Sequence, residues 1–199
     1  MKKLIVTTFF SISAVISNAQ ISVPKCNSYT ENKELAQVIF NTVNSYRNQN
    51  NQQSFIWSNY WYQSSLKWNN FLSKNALWGH RNGPEWEWPN GSELICGVTL
   101  PKTFEINSST YKYIADSCLN QWIHSPMHHG MLLSPIRTAK QTSCPLDLNG
   151  DGKLERFNVE LCSYGAISVN INEYATSYIV QIIFHLGYGI DKDHFIKDI

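Results

Sequence analysis

This sequence has no excess of charge of either sign, no CxxC pair and no apolar run long enough to cross a membrane, and each absence closes off a class of function. Only 16% of its residues are charged, 16 basic against 15 acidic, and the basic ones form no stripe. Nucleic-acid partners need such a stripe to neutralise phosphates, so none is expected. HExxH, GxSxG and glycine-rich phosphate loops are also missing. Their absence removes the usual anchors of zinc peptidases, serine hydrolases and nucleotide-binding proteins. A spanning helix takes roughly 20 apolar residues, whereas the apolar run from Leu4 to Ile16 is shorter and lies at the very start.

What that run does offer is an export address. Lys2 and Lys3 precede it and Ser17-Asn18-Ala19 follows, the small-x-small pattern that signal peptidase reads. Residues 1–19 are therefore expected to be a signal peptide, with a mature chain from Gln20 that is secreted or periplasmic and has no transmembrane segment. The segment carries two of the 16 basic residues, so 14 remain against 15 acidic ones and the mature chain is close to neutral. About 180 residues are left, a length that suits one domain with a substantial core. All five cysteines, Cys26, Cys96, Cys118, Cys144 and Cys162, lie in that part. An oxidising destination permits two disulfides with one thiol left over, and the pairing is open, although Cys144 with Cys162 would staple a loop to its following strand.

Hydrophobic periodicity gives the organisation. Leu35, Val38, Ile39, Val43 and Tyr46 recur at helical spacing between Glu31 and about Asn50. A second helix is predicted from an N-cap at Ser58, with Trp61, Ser65, Trp68, Leu72 and Ala76 on one face and a stop at Trp78-Gly79. Residues 79–107, broken by Gly83, Pro84, Pro89, Gly91 and Pro101, read as mostly loop. A third helix is expected from Ser108 or Ser109, carrying Tyr111, Ile114, Cys118 and Trp122, and Ser125-Pro126 reads as a fresh helix start. Phe157 to Val169 and Tyr178 to Leu186 are β-branched and aromatic, and should pair antiparallel across a polar connection holding Asn170, Asn172 and Glu173. Helices first and strands last indicate an α+β fold. The expected division is a segment at 20–30, a domain at 31–190 and a tail at 191–199.

Four of the six histidines, His80, His124, His128 and His129, fall in two short segments that flank the loop region. The order of motifs gives that distribution meaning: His80, then Gly91-Ser92-Glu93-Leu94-Ile95, then Trp122-Ile123-His124-Ser125-Pro126-Met127-His128, then a late aromatic strand. It resembles the bacterial branch of the cysteine-rich secretory, antigen 5 and pathogenesis-related (CAP) superfamily, whose segments read H, GENI and WxxSPGH. Asn44-Ser45-Tyr46-Arg47 followed by Phe55-Ile56-Trp57-Ser58 is similar to the family's opening, an N-x-x-R helix before a short L-x-W segment. The resemblance runs from about Glu31 to Tyr188, with Ser92 and Leu94 departing from GENI. As in the bacterial branch, no second glutamate precedes Ser125.

The resemblance implies an α/β/α sandwich with an antiparallel sheet, in which His80, Glu93 and His128 meet in one open cleft. Two neutral imidazoles suit Zn²⁺ or another divalent transition metal, and a carboxylate either completes the shell or orients an imidazole through its other N–H. Pro126 places His128 in the first turn of its helix, where the dipole favours the neutral ring. His124 and His129 are expected at the surface, with either one available as a spare ligand.

Two further features stand apart from that cluster. Asp147, Asn149, Asp151, Lys153 (through its carbonyl) and Glu155 are spaced as in EF-hand-like Ca²⁺ loops, with Gly152 at the turn. Asn158 stands where a bidentate Glu belongs, so a polar Asx turn is the competing interpretation. Trp78, Trp86 and Trp88, among seven tryptophans, are candidates for contact with apolar or sugar-like ligands. Three functions follow as expectations. One is a secreted protein whose His/Glu cleft binds metal and an extracellular small-molecule, lipid or protein ligand. The second is a metal-assisted hydrolase with Glu93 as general base, and the third a protein-interaction module that uses the aromatic loop.

Overall fold

A single five-stranded sheet organises the chain, and its strands alternate between two buried faces of different chemistry. The computed structural model describes residues 20–81, 91–134, 142–146, 155–159 and 162–189, without side chains for 91, 142–146, 155–159, 162–163 and 187–189. The elements are β1 (Ile21–Ser22), β2 (Ser28–Glu31), α1 (Lys33–Gln49), β3 (Ile56–Trp57), α2 (Asn59–Asn75) and β4 (Leu77–Trp78). After them come β5 (Gly91–Pro101), α3 (Tyr111–Ile123), α4 (Pro126–Leu132), β6 (Thr142–Leu146), β7 (Glu155–Val159), β8 (Cys162–Glu173) and β9 (Ser177–Gly189). The main sheet runs β2-β8-β9-β5 antiparallel, with β3 alongside β8 in parallel, while β1 pairs β4 and β6 pairs β7 separately. Mixed helix and antiparallel sheet, with no βαβ unit among the described residues, is the α+β class.

Helices cover both faces. On one, Leu35, Ile39 and Val43 of α1 and Ile114, Ala115, Cys118 and Trp122 of α3 pack on Leu94, Cys96 and Val98 of β5 and Val180, Ile182 and Phe184 of β9. Each fully buried aliphatic side chain there is worth about 1.5–3 kcal/mol. On the other face α2 lays Trp68 and Leu72 against Ile183. Beside them it sets a polar seam of Ser65, Asn69 and Ser73, all buried, against Ser168, Asn170, Asn172 and Gln181. Ser65 bridges to Ser168 at 2.7 Å, Asn69 donates to Ser168 at 3.1 Å, and Asn170 donates to Ser73 at 3.1 Å.

The helix starts follow capping chemistry. Asn32 accepts from Leu35 N at 2.9 Å and Ser58 from Trp61 N at 3.3 Å, satisfying amides that lack an intrahelical partner. The helix expected from Ser108 or Ser109 begins at Tyr111, because Thr110 closes a turn onto Asn107 and Glu105 first. Ser125 precedes α4 with Pro126 at its first position, as expected, although the serine side chain makes no cap bond.

Two expectations are corrected. Residues 91–101 form β5, paired with β9 along its whole length, where mostly loop was expected. Its Leu94, Cys96, Val98 and Leu100 alternate inward at the strand period, a signal hidden by the surrounding Gly and Pro. Asn170, Asn172 and Glu173 continue β8 and are not a connection, since the turn lies at residues 174–176. Their polarity reflects the α2 seam: Asn170 and Asn172 point into it.

The N-x-x-R helix has a local reason as well. Asn44 grips Phe55 twice, donating to its carbonyl at 3.0 Å and accepting its amide at 2.8 Å. Arg47, fully buried, donates to Gln53 O at 2.7 Å, to Ser134 O at 3.2 Å and to Leu132 O, and its guanidinium stacks on Phe55. These contacts tie the end of α4, and so the element carrying His128, to α1. Among the described residues no helix is long and apolar enough to cross a membrane.

Candidate functional site

Glu93 is the centre of the site, and the sheet register puts it there. It lies on β5 opposite His185 of β9, on the face that α2 covers, with its side chain only 1% exposed. A carboxylate in such a place must have its lone pairs filled by donors. His80 Nδ1 donates to Oε1 at 2.9 Å and the Arg81 backbone N–H donates to the same oxygen at 3.2 Å. His185 Nε2 donates to Oε2 at 2.7 Å, with Arg81 Nε 3.8 Å away. Arg81 is itself held by Ser64, through Nη1 to Oγ at 3.0 Å and Nη2 to the carbonyl, and its Nη2 lies 3.3 Å from His185 Nδ1.

This chain of donors fixes the tautomers. A carboxylate only accepts, so His80 carries its proton on Nδ1 and His185 on Nε2. Arg81 only donates, so His185 Nδ1 accepts from it and that ring is neutral. Burial pushes the His185 imidazole down, outweighing the upward pull of Glu93. Burial alone would raise the Glu93 carboxyl, but the hydrogen bonds and charges of His185 and His80 together exceed it and hold the group at about 2. Glu93 is thus a fixed anion at every physiological pH. A carboxylate that weakly basic, with both oxygens already engaged, is poorly suited to the general-base role that the hydrolase reading gives it.

His80 presents the other side of its ring. In the neutral ring, with Nδ1–H donated to Glu93, Nε2 is the lone-pair nitrogen, and the side chain is 40% exposed. His128, half-buried in the first turn of α4, has an Nε2 that is buried with no hydrogen-bond partner among the described residues. Burial holds its imidazole below the usual histidine range, and the charge of nearby His80 pushes it further down. The neutral state is the one expected from the sequence, and burial is its largest cause. The structure joins His80 to Glu93 by a hydrogen bond, and His128 lies near enough to His80 for the two rings to interact electrostatically. Two imidazoles offer nitrogen to a ligand, and the carboxylate faces inward and orients one of them. Among the described residues no three or more His, Cys, Asp or Glu side chains are arranged to hold a metal ion.

His185 and Arg81 were not read as site residues from the sequence. The strand pairing of Glu93 with His185 was the available signal, and it needed β5 to be recognised as a strand. Two other described histidines lie outside the cluster: His129 Nε2 bonds Tyr46 Oη at 2.8 Å and is half-buried, where a surface position was expected. His124 is exposed and bonds Asn120 O at 2.7 Å. Cys96 is buried in the core.

Of the proposed ligand-contact residues, Trp78 is half-buried with its six-membered ring against Gly97, where an added Cβ would stand 3.0 Å from Cη2. That ring is committed to packing on the sheet, about 13 Å along the strand from Glu93 at the usual rise per residue. Trp86 and Trp88 lie outside the described residues, as do residues 1–19, the tail at 191–199 and Asp147, Asn149, Asp151 and Lys153 of the acidic loop. Glu155 opens β7, paired with Leu146, and its side chain is outside the described set, as are those of Cys144 and Cys162. Neither a family model, nor a curated protein, nor a solved structure matches this chain.

Proposed function

We propose that this chain is an exported protein of the CAP type whose cleft binds a divalent transition metal, zinc-like in preference, through His80 and His128. The observation that supports the reading is the state of two imidazoles, His80 and His128. Glu93 fixes His80 with Nε2 as the free lone pair, and His128 is a neutral ring with an unpartnered buried nitrogen. A carboxylate behind a ligating histidine is the usual second layer of a metal site, raising ligand basicity and locking the ring. Two protein nitrogens leave the remaining positions to water or to an extracellular ligand, so affinity should be modest beside that of three- and four-ligand zinc sites. When bound, such a metal supplies Lewis acidity or a bridging contact to the ligand.

Calorimetric titration of the exported protein with Zn²⁺, after alkylation of accessible thiols, tests the reading. One site is expected, lost in His80→Ala/His128→Ala and weakened roughly 10- to 100-fold in Glu93→Gln through the loosened His80. Zinc affinity unchanged in the double variant would end the metal proposal.

A further inference from the structure

We infer that Cys96 and Cys118 are joined by a disulfide in the exported protein, a covalent tie between β5 and α3. The two residues lie in the same core cluster, 2% and 0% exposed. Their elements are held in register by side chains one turn further along α3. Trp122 Nε1 donates to Ile95 O at 3.3 Å and Gln121 Nε2 to Gly97 O at 3.1 Å, so the two bonds straddle Cys96. Cys118 precedes Trp122 by one helical turn on the same buried face, and Cys96 points to that face between Leu94 and Val98. Both are free thiols in the structure, buried in one cluster where α3 packs on β5, and joining them requires the sulfurs to move into bonding distance. Among the other described cysteines, Cys26 is occupied elsewhere, its thiol on Ser73 O at 3.7 Å.

The chemistry sets when the bond forms. Burial pushes the Cys118 thiol well up, with Cys96 adding to it, and both sulfurs are enclosed, so an outside oxidant cannot reach them once the core has closed. Oxidation therefore accompanies folding. One thiolate attacks the disulfide of a thiol–disulfide oxidoreductase in the oxidising compartment, and the second displaces that oxidant from the mixed disulfide. Two protein thiols give up two electrons and two protons, and the oxidant's disulfide leaves as two thiols.

The location gives the tie a purpose. Cys96 stands three residues beyond Glu93 on β5, and α3 leads through Trp122 and Ser125 into α4 and His128. A bond here clamps the strand holding one side of the cleft to the helix pair holding the other. That consequence rests on the cleft reading above, whereas the bond does not.

Peptide mapping of the protein recovered from an oxidising export compartment, denatured with alkylating agent and no reductant, tests the inference. Trypsin should release residues 82–102 and 113–137, each with one cysteine, as a linked pair that reductant separates. Reduction should also lower the thermal midpoint by roughly 6–12 °C, given a loop of about twenty residues. Alkyl groups on both Cys96 and Cys118, or either one linked to a different cysteine, would overturn the assignment. This mapping is done on the wild-type chain, so it does not depend on whether Cys118→Ser folds. It is also indifferent to zinc, so its failure and that of the metal reading are separable.

Discussion

Replacing Glu93 by Gln tests the logic of the site more sharply than any other single change. The carboxylate takes three N–H donors, from His80, the Arg81 backbone and His185, and sits beside the Arg81 guanidinium. A carboxyl held at about 2 against an ordinary 4.5 stabilises the folded state by about 3 kcal/mol at neutral pH. Because the folded value is depressed, that stability is complete above the unfolded value and drains away as pH falls from about 4.5 to about 2. Glutamine keeps the shape but turns one acceptor into a donor. If its oxygen serves His80 and Arg81 N–H, its NH₂ meets the N–H of His185. Moving that proton to Nδ1 then sets it against Arg81 Nη2. The conflict cannot be relieved within the cluster, and Arg81 loses its counter-charge, so a loss of about 3 kcal/mol at pH 7 is expected. Urea unfolding of wild type and Glu93→Gln, measured in steps between pH 7 and 2.5, reads both quantities. The variant should be less stable at pH 7 and should lack the steep fall below pH 4.5. Parallel pH profiles for the two proteins would show that Glu93 titrates as an ordinary surface carboxyl, and the tautomer chain built on it would be wrong.

Other expectations are narrower. Arg47→Met should cost about 3 kcal/mol, since the carbonyls of Gln53, Leu132 and Ser134 lose a charged donor, and amide exchange in α4 should accelerate ahead of the rest of the chain. Gly165→Ala should destabilise by about 1–3 kcal/mol in urea unfolding, because its Cβ would stand 2.6 Å from Phe184 Cε2 and 3.2 Å from the His185 carbonyl. Ala76→Gly should act in the opposite direction: Ala76 closes α2 at φ 52° and ψ 51°, left-handed backbone that glycine adopts without strain. A rise of the thermal midpoint by about 1–3 °C is expected, after the added freedom of the unfolded chain is set against the relief.

Much of the architecture follows from local chemistry that a reader of the sequence can see. Asn32 and Ser58 cap helices because their side chains accept amides that have no other partner, and the apolar stripes of α1, α2 and α3 declare which faces turn inward. Pro126 starts α4 and the β-branched run of β9 declares a strand for the same kind of reason. The order of their motifs groups His80, Glu93 and His128 only through a resemblance to a family pattern. What it could not assign is the role of each, since a role here is set by which way a side chain faces across a sheet.

Only pairing β5 with β9 brings His185 opposite Glu93, and only the resulting burial turns that carboxylate inward as a fixed anion that orients His80. Asn170 and Asn172 look like a turn until the seam of α2 is laid over them, and Cys96 and Cys118 look unrelated until α3 packs on β5. Caps and helical stripes depend on neighbours within four residues, so the sequence alone determines them. Cross-strand partners, buried charge and thiol pairing depend on residues many positions away, and only the folded chain decides them.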